Sequence, residues 1–161
     1  MKPRLNPYQA APGVMKAMTT LEAQVASSGL EPALIELVKI RASQINGCAF
    51  CLHMHTRDAR AEGEHEERLY LLDAWRESPL YSTRERAALA WTEAVTLVAQ
   101  THVPDEVYDQ ARAEFSDEDL VRLTLLVTTI NAWNRFAISF RSIHPAGHPA
   151  GARPTKVKAA A

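Results

Sequence analysis

The only two cysteines of this chain, Cys48 and Cys51, are three residues apart, and His55 follows the second by four. At about 100° per residue, a helix projects these three side chains within about 60° of one another. His53 projects to the opposite side, so the spacing favours His55 as the base. Residues three apart on a helix are also close enough for a disulfide. The pattern indicates a reversible dithiol–disulfide site with a neighbouring imidazole.

Such a site needs one activated sulfur and one resolving sulfur. In the first turn of a helix, unpaired backbone N–H groups and the helix dipole favour thiolate over thiol. A thiolate attacks a peroxide oxygen or a disulfide, and a nearby second thiol converts the resulting sulfenic acid to a disulfide before further oxidation. With two cysteines and no third, the chain meets this requirement with nothing to spare.

Other uses of a Cys-x-x-Cys pair remain as alternatives. Both cysteines could be ordinary core residues. They could also be half of a zinc site completed by His144 and His148, although more than ninety residues separate the two halves. Covalent haem attachment requires histidine directly after the second cysteine, where Leu52 stands. A thioredoxin-like site requires a strand that the sequence does not predict.

Composition limits the class of protein. The 161 residues fit one domain, and a net charge of −1 without basic runs argues against nucleic-acid and membrane-surface partners. The uncharged stretch of residues 123–134 is too short and too polar to span a membrane. The first residues do not resemble a secretory signal, so we expect a cytoplasmic protein. There, a Cys-x-x-Cys pair favours catalysis, redox chemistry or metal binding over a structural disulfide.

Helical periodicity extends over most of the chain, and no segment alternates like a strand. The sequence therefore predicts an all-α fold of about seven helices. Turn residues and capping pairs, such as Asn46-Gly47 and Ser82 with Glu85, set their limits. The predicted helices are residues 14–25, 32–45, 48–63, 66–76, 82–98, 104–115 and 117–141. We expect one domain over residues 1–144, and a poorly ordered tail rich in Ala, Gly, Pro and Lys over residues 145–161.

Two helices carry further expectations. The last is apolar around most of its surface, which predicts burial on several sides, either in a homo-oligomer or as the central helix of a monomeric bundle. On the helix of residues 32–45, Glu36 lies with Lys39 and Ser43 on the polar side, which by itself indicates a solvated face. Arg41 projects among apolar residues, so we expect it to pair with a buried or interfacial carboxylate.

The run from Glu36 to His55 resembles the alkylhydroperoxidase D core of the carboxymuconolactone decarboxylase-like superfamily. The signature of that family is a glutamate twelve residues before Cys-x-x-Cys and a histidine four residues after the second cysteine, and this chain fills all four places. Residues 85–93 and 134–136 also resemble the family. The resemblance covers roughly residues 31–140.

This resemblance implies an all-helical subunit that assembles as a trimer or hexamer and reduces hydroperoxides. Cys51 would be the peroxidatic thiol, deprotonated by His55 with Glu36 in a relay. Cys48 would resolve the sulfenic acid and meet a dithiol reductant, which in the best-known members is a dihydrolipoyl group on a partner protein. The redox group would be the cysteine pair itself, with no bound cofactor or metal. Glu36 would then face a pocket built by a neighbouring element or subunit.

One position departs from the family. Fuller members carry a second histidine immediately before the second cysteine, and Phe50 stands there in this chain. A phenyl ring cannot carry a proton, so we expect a relay of His55 and Glu36 alone, with slower turnover or a different reductant. Besides a peroxidase, the sequence leaves open a lactone decarboxylase like the superfamily's namesake, and a metal-binding or thiol-sensing module without turnover.

Overall fold

The computed structural model describes residues 2–145, which form nine α-helices and no strand. The predicted all-α class is confirmed. The helices are α1 (Pro7–Ala10), α2 (Pro12–Ala26), α3 (Pro32–Asn46), α4 (Ala49–Ala61), α5 (Glu66–Leu71), α6 (Thr83–Thr96), α7 (Val98–Thr101), α8 (Asp105–Glu114) and α9 (Asp117–Phe140), with one 3₁₀ turn, Leu72–Ala74, after α5.

The seven predicted helices correspond to α2–α6, α8 and α9. The two that the sequence did not reveal, α1 and α7, are single turns of four residues each, too short for an apolar period to show. The predicted helix 66–76 is divided into α5 and the 3₁₀ turn. Of the predicted tail, all but Pro145 lies outside the described residues, and the single-domain assignment stays a prediction.

Helix α3 lies at the centre of the subunit and packs against α4, α6 and α9. Helix α9 packs in turn against α2, α3 and α6, so it is buried on several sides, as its composition predicted. The largest fully buried side chains come mainly from α3, α6 and α9: Leu37, Ile40, Leu89, Leu123, Leu126 and Ile130. Within residues 2–145, none of the helices, the 24-residue α9 included, has the length and apolar character needed to cross a bilayer. Assembly into a homo-oligomer stays a prediction.

The turn between α3 and α4 fixes the start of the cysteine helix. Gly47 adopts a left-handed conformation with φ of 68°, where a residue with a Cβ atom is strained. Its N–H donates to the carbonyl of Gln44 at 3.1 Å, and the Cys48 N–H donates to the carbonyl of Ser43 at 3.0 Å. These two bonds form a Schellman motif. The Asn46-Gly47 pair therefore ends α3 and places Cys48 at the N-cap of the next helix.

Side-chain amides bind α3 to α9. Asn134 is fully buried, and its amide donates to the hydroxyl of Ser43 at 3.0 Å. The Asn46 amide donates to the side-chain oxygens of both Asn134 and Asn131, each at 2.9 Å. Because buried amides are stable only when their hydrogen bonds are made, this network fixes the register of the two helices.

Arg41 has the carboxylate partner that its position on α3 predicted. Its Nε donates to Oε1 of Glu93 on α6 at 2.8 Å. A second carboxylate, Asp73, and the side-chain oxygen of Gln44 accept from its Nη1. The guanidinium of Arg41 therefore bridges α3, α6 and the 3₁₀ turn.

Candidate active site

Cys48 and Cys51 form a disulfide at the N-terminus of α4, with their Cα atoms 5.4 Å apart. Cys48 is the residue that caps the helix, and its sulfur accepts a hydrogen bond from the Cys51 N–H at 3.3 Å. The two residues are only 1% and 2% exposed. The predicted placement of both sulfurs at the start of a helix is confirmed, and the local cause is the Gly47 turn.

His55 lies one helical turn beyond Cys51 and is paired with Glu36. Its Nδ1 lies 2.9 Å from Oε2 of that carboxylate, and both side chains are close to fully buried. Because Nδ1 is engaged, Nε2 is the ring nitrogen left for the cavity that His55 shares with Cys51. His53, in contrast, stacks its ring on His144, with centroids 4.7 Å apart. The structure thus brings Cys48, Cys51, His55 and Glu36 together.

The polar face of α3 is covered, so the expectation of a solvated face is wrong. Lys39 is 7% exposed and Ser43 is fully buried. The Lys39 ammonium lies 2.6 Å from Oε1 of Glu22 on α2 and 3.8 Å from Oε1 of Glu36. The polar residues of this face therefore point at neighbouring helices of the same subunit, which supply charged and hydrogen-bonding partners.

Three residues next to the site were missed from the sequence: Lys39, Glu22 and Trp133. The Trp133 indole on α9 donates to Oε2 of Glu22 at 3.0 Å, so a chain of polar contacts runs from α9 through α2 and α3 to the imidazole. The spacing of Lys39 three residues after Glu36 was a readable signal. Glu22 and Trp133 carried no local signal, because 111 residues separate them.

A cavity of about 300 Å³ opens beside Cys51 and His55. Its walls are mostly apolar and come from α1, α2, α4 and α9. The apolar and aromatic residues that line it are Pro7, Tyr8, Met15, Phe50, Met54, Ile130, Trp133, Phe136 and Ala137, and Glu22 also lines it. An apolar cavity with a few convergent polar groups is typical of a small-molecule site.

A second cavity, of about 340 Å³, lies on the Cys48 side of the disulfide. Its charged lining residues are Arg4 and Arg141. Phe50 lines both cavities and packs with the two cysteines against α9. The ring that replaces the second family histidine is therefore an apolar partition between the two approaches to the disulfide.

The site contains the functional groups that thiol chemistry requires: a thiol, a base and a carboxylate. A base paired with a carboxylate can take a proton from a neighbouring thiol and hold the resulting charge. Within residues 2–145, no three His, Cys, Asp or Glu side chains are grouped so that they could hold a metal ion. The zinc alternative also needs His148, which lies outside the described residues.

The sequence of residues 12–94, which includes Glu36, Cys48, Cys51 and His55, matches the carboxymuconolactone decarboxylase family. This chain belongs to that family. The uncharacterized protein YdfG of Bacillus subtilis is 45% identical over 139 residues, which are 86% of this chain and 95% of YdfG.

Solved structures of similar proteins share this fold. A crystal structure from Agrobacterium tumefaciens aligns with a TM-score of 0.88 and 49% identity, covering 90% of this chain and 99% of that one. That protein is of unknown function, and a role as the antioxidant defence protein AhpD has been suggested for it. The debrominase Bmp8 shares the fold, with a TM-score of 0.75 and 18% identity over 86% of this chain and 74% of its own. Membership in the carboxymuconolactone decarboxylase family and the AhpD-like neighbour support a peroxidase-related or decarboxylase-like function.

Proposed function

We propose that the protein is a thiol-dependent peroxidase that reduces hydroperoxides through a cycle of the Cys48–Cys51 dithiol and disulfide. The observation that carries the proposal is the pairing of His55 with the buried Glu36 beside a cysteine that lines an apolar cavity. A lactone decarboxylase has no need of a cysteine pair.

In the proposed cycle, His55 takes the proton of the Cys51 thiol, and Glu36 stabilises the imidazolium. The thiolate attacks the hydroperoxide, so that a sulfur–oxygen bond forms while the oxygen–oxygen bond breaks. The leaving alkoxide takes the proton from His55 and departs as an alcohol. The Cys48 thiol then attacks the sulfenic acid of Cys51, and water leaves as the disulfide forms.

A dithiol completes the cycle by reducing the disulfide. Its thiolate attacks Cys48, which borders the second cavity, and the mixed disulfide is resolved by the second thiol of the reductant. A dihydrolipoyl group has the two thiols that this step requires. The partition formed by Phe50 allows the oxidant and the reductant to approach different sulfurs.

The test is to treat the reduced protein with one equivalent of cumene hydroperoxide and then to measure its intact mass and count its free thiols. Because the chain has no third cysteine, the thiol count is unambiguous. We expect the wild type to lose both thiols and two hydrogens, Cys48→Ser to gain one oxygen, and Cys51→Ser to remain unchanged. Catalytic consumption of hydroperoxide with dihydrolipoamide as the reductant should be fastest in the wild type, slower in Cys48→Ser and absent in Cys51→Ser. Normal consumption by Cys51→Ser would refute the proposal, and turnover of a carboxymuconolactone instead would establish the decarboxylase.

A further inference from the structure

The cavity beside Cys51 has one carboxylate in a mostly apolar wall, whose other polar residues include His55 and Ser142. Glu22 is that carboxylate, and no Lys or Arg of residues 2–145 lines the cavity with it. The Glu22 side chain is 32% exposed, so water screens its charge in part, but a charge in the wall still acts at short range on whatever lies beside it. The position of Glu22 therefore bears on which hydroperoxides reach the thiol.

Glu22 is held in place at both oxygens. Oε1 accepts from the Lys39 ammonium at 2.6 Å, and Oε2 accepts from the Trp133 indole at 3.0 Å. Trp133 is itself a lining residue, so this oxygen lies against the cavity wall. Two donors on one carboxylate fix its position in the wall.

Lys39 does not cancel the charge on this side of the site. It is shared between Glu22 and Glu36, so two carboxylates and one ammonium leave one net negative charge. The remaining charged partner in the cluster is His55, which pairs with Glu36 when it is protonated. Lys39 is buried and does not line the cavity, whereas Glu22 does. An entering ligand therefore meets the negative end of the cluster.

We propose that Glu22 makes the cavity selective for neutral, apolar hydroperoxides and excludes hydroperoxides that carry a carboxylate. This inference rests on the proposed function, since it names the substrate class of the same site. The apolar walls favour alkyl and aryl groups, while a second carboxylate near Glu22 would be repelled and would lose its hydration.

The first experiment compares two oxidants that differ by one ionised substituent, cumene hydroperoxide and its para-carboxylate derivative. The measured quantity is the ratio of the second-order rates at which they oxidise the reduced protein. We expect the neutral compound to react about ten-fold faster or more, because close like charges disfavour the anion. In Glu22→Gln this ratio should fall several-fold, since glutamine keeps a hydrogen-bonding side chain without the charge. Glu118→Gln is the matched control, because that carboxylate is 73% exposed and lies at the start of α9.

A second experiment separates this inference from the peroxidase proposal. In the Cys48→Ser background, Cys51 is alkylated with neutral iodoacetamide and with anionic iodoacetate, which requires no peroxide chemistry. We expect the same preference for the neutral reagent and the same loss of preference in Glu22→Gln, with Glu22→Ala as the substitute if the glutamine variant does not fold. A preference that persists in the Glu22 variants, or is absent from the wild type, overturns the inference. A charge preference in alkylation without oxidation by either hydroperoxide would refute only the peroxidase.

Discussion

The Nδ1 atom of His55 lies 2.9 Å from Oε2 of Glu36, a carboxylate nineteen residues earlier in the chain and on another helix. The pair is buried, so water does not compete strongly for either partner. In the proposed cycle, the carboxylate orients the ring and stabilises the imidazolium that forms when the thiol gives up its proton. The reactivity of Cys51 should therefore depend on a residue that does not line its cavity.

Replacing Glu36 with glutamine should make Cys51 less reactive. The amide has no charge to stabilise the imidazolium, and its N–H group can turn toward Nδ1 and select the wrong tautomer. We expect iodoacetamide to alkylate Cys51 about ten- to a hundred-fold more slowly at neutral pH, which is up to the lower end of what a positioned base contributes, because His55 itself remains. The profile of rate against pH should also move toward higher pH. The measurement uses the Cys48→Ser background, so that one thiol is counted.

Glu67→Gln is the control for this variant, because it makes the same chemical change at an exposed position on α5. It should alkylate like the parent at every pH. If Glu36→Gln also gave the parent profile, the carboxylate would have no part in activating the thiol, and the relay would be refuted.

The limits of the helices could be read from the sequence because their signals are local. Ser82 and Glu85 form both bonds of the predicted capping box, and Ser116 caps α9 in the same way by accepting from the Asp119 N–H at 3.1 Å. Each signal spans four residues, so it acts whatever the rest of the chain does. The same holds for the Gly47 turn that sets the start of the cysteine helix.

The polar face of α3 could not be read in this way. Glu36, Lys39 and Ser43 have the pattern of a solvated face, and nothing in their spacing says which helices cover them. Their partners come from elsewhere in the chain: Ser43 accepts from Asn134, 91 residues away. Such contacts depend on how α2, α4 and α9 pack around α3. Resemblance to a known family, rather than periodicity, gave Glu36 its functional interpretation.

Replacing Lys39 with methionine should destabilise the protein and reduce the reactivity of Cys51 together. Removal of the ammonium leaves Glu22 and Glu36 as unbalanced, largely buried charges, for which we expect a loss of about 2–4 kcal/mol in the free energy of unfolding. Glu36 would also lose the cation near its second oxygen, so alkylation of Cys51 at neutral pH should slow. Urea unfolding and iodoacetamide rates measure the two effects.

A double-mutant cycle tests whether this loss comes from the charge cluster. In the Glu22→Gln background one carboxylate is already neutral, so Lys39→Met should destabilise the protein by clearly less than in the wild type. Lys16→Met, an exposed lysine on α2, should leave both stability and alkylation near the parent values. Equal losses in the two backgrounds would show that Lys39 acts through packing alone.

Replacing Asn134 with alanine should destabilise the contact between α3 and α9. The change removes the donor to Ser43 and one acceptor of the Asn46 amide, and it leaves these buried groups short of partners. We expect a loss of about 2–3 kcal/mol in the free energy of unfolding, typical of a buried polar group left unsatisfied. Thr128→Ala is the control, because that exposed hydroxyl bonds only to carbonyls of its own helix. Urea unfolding measures both variants, and equal midpoints would contradict the structural role of the network.

The carboxylate of Glu93 should make stability depend on acid. Burial by itself raises the pKa of Glu93, but hydrogen bonds from Trp75 and Arg76 and the charge of Arg41 outweigh burial and hold the pKa below its ordinary value of 4.5. A carboxyl group with a lowered folded-state pKa stabilises the fold above its ordinary pKa, and that stability is lost as the pH falls through the folded-state pKa. We therefore expect Glu93→Gln to be less stable than the wild type at neutral pH, by about 2 kcal/mol. The difference should shrink as the pH falls below 4.5. Urea unfolding at neutral and acidic pH measures it, with the exposed Glu118→Gln as the matched control, and a difference that stays constant with pH would show that the Glu93 charge does not stabilise the fold.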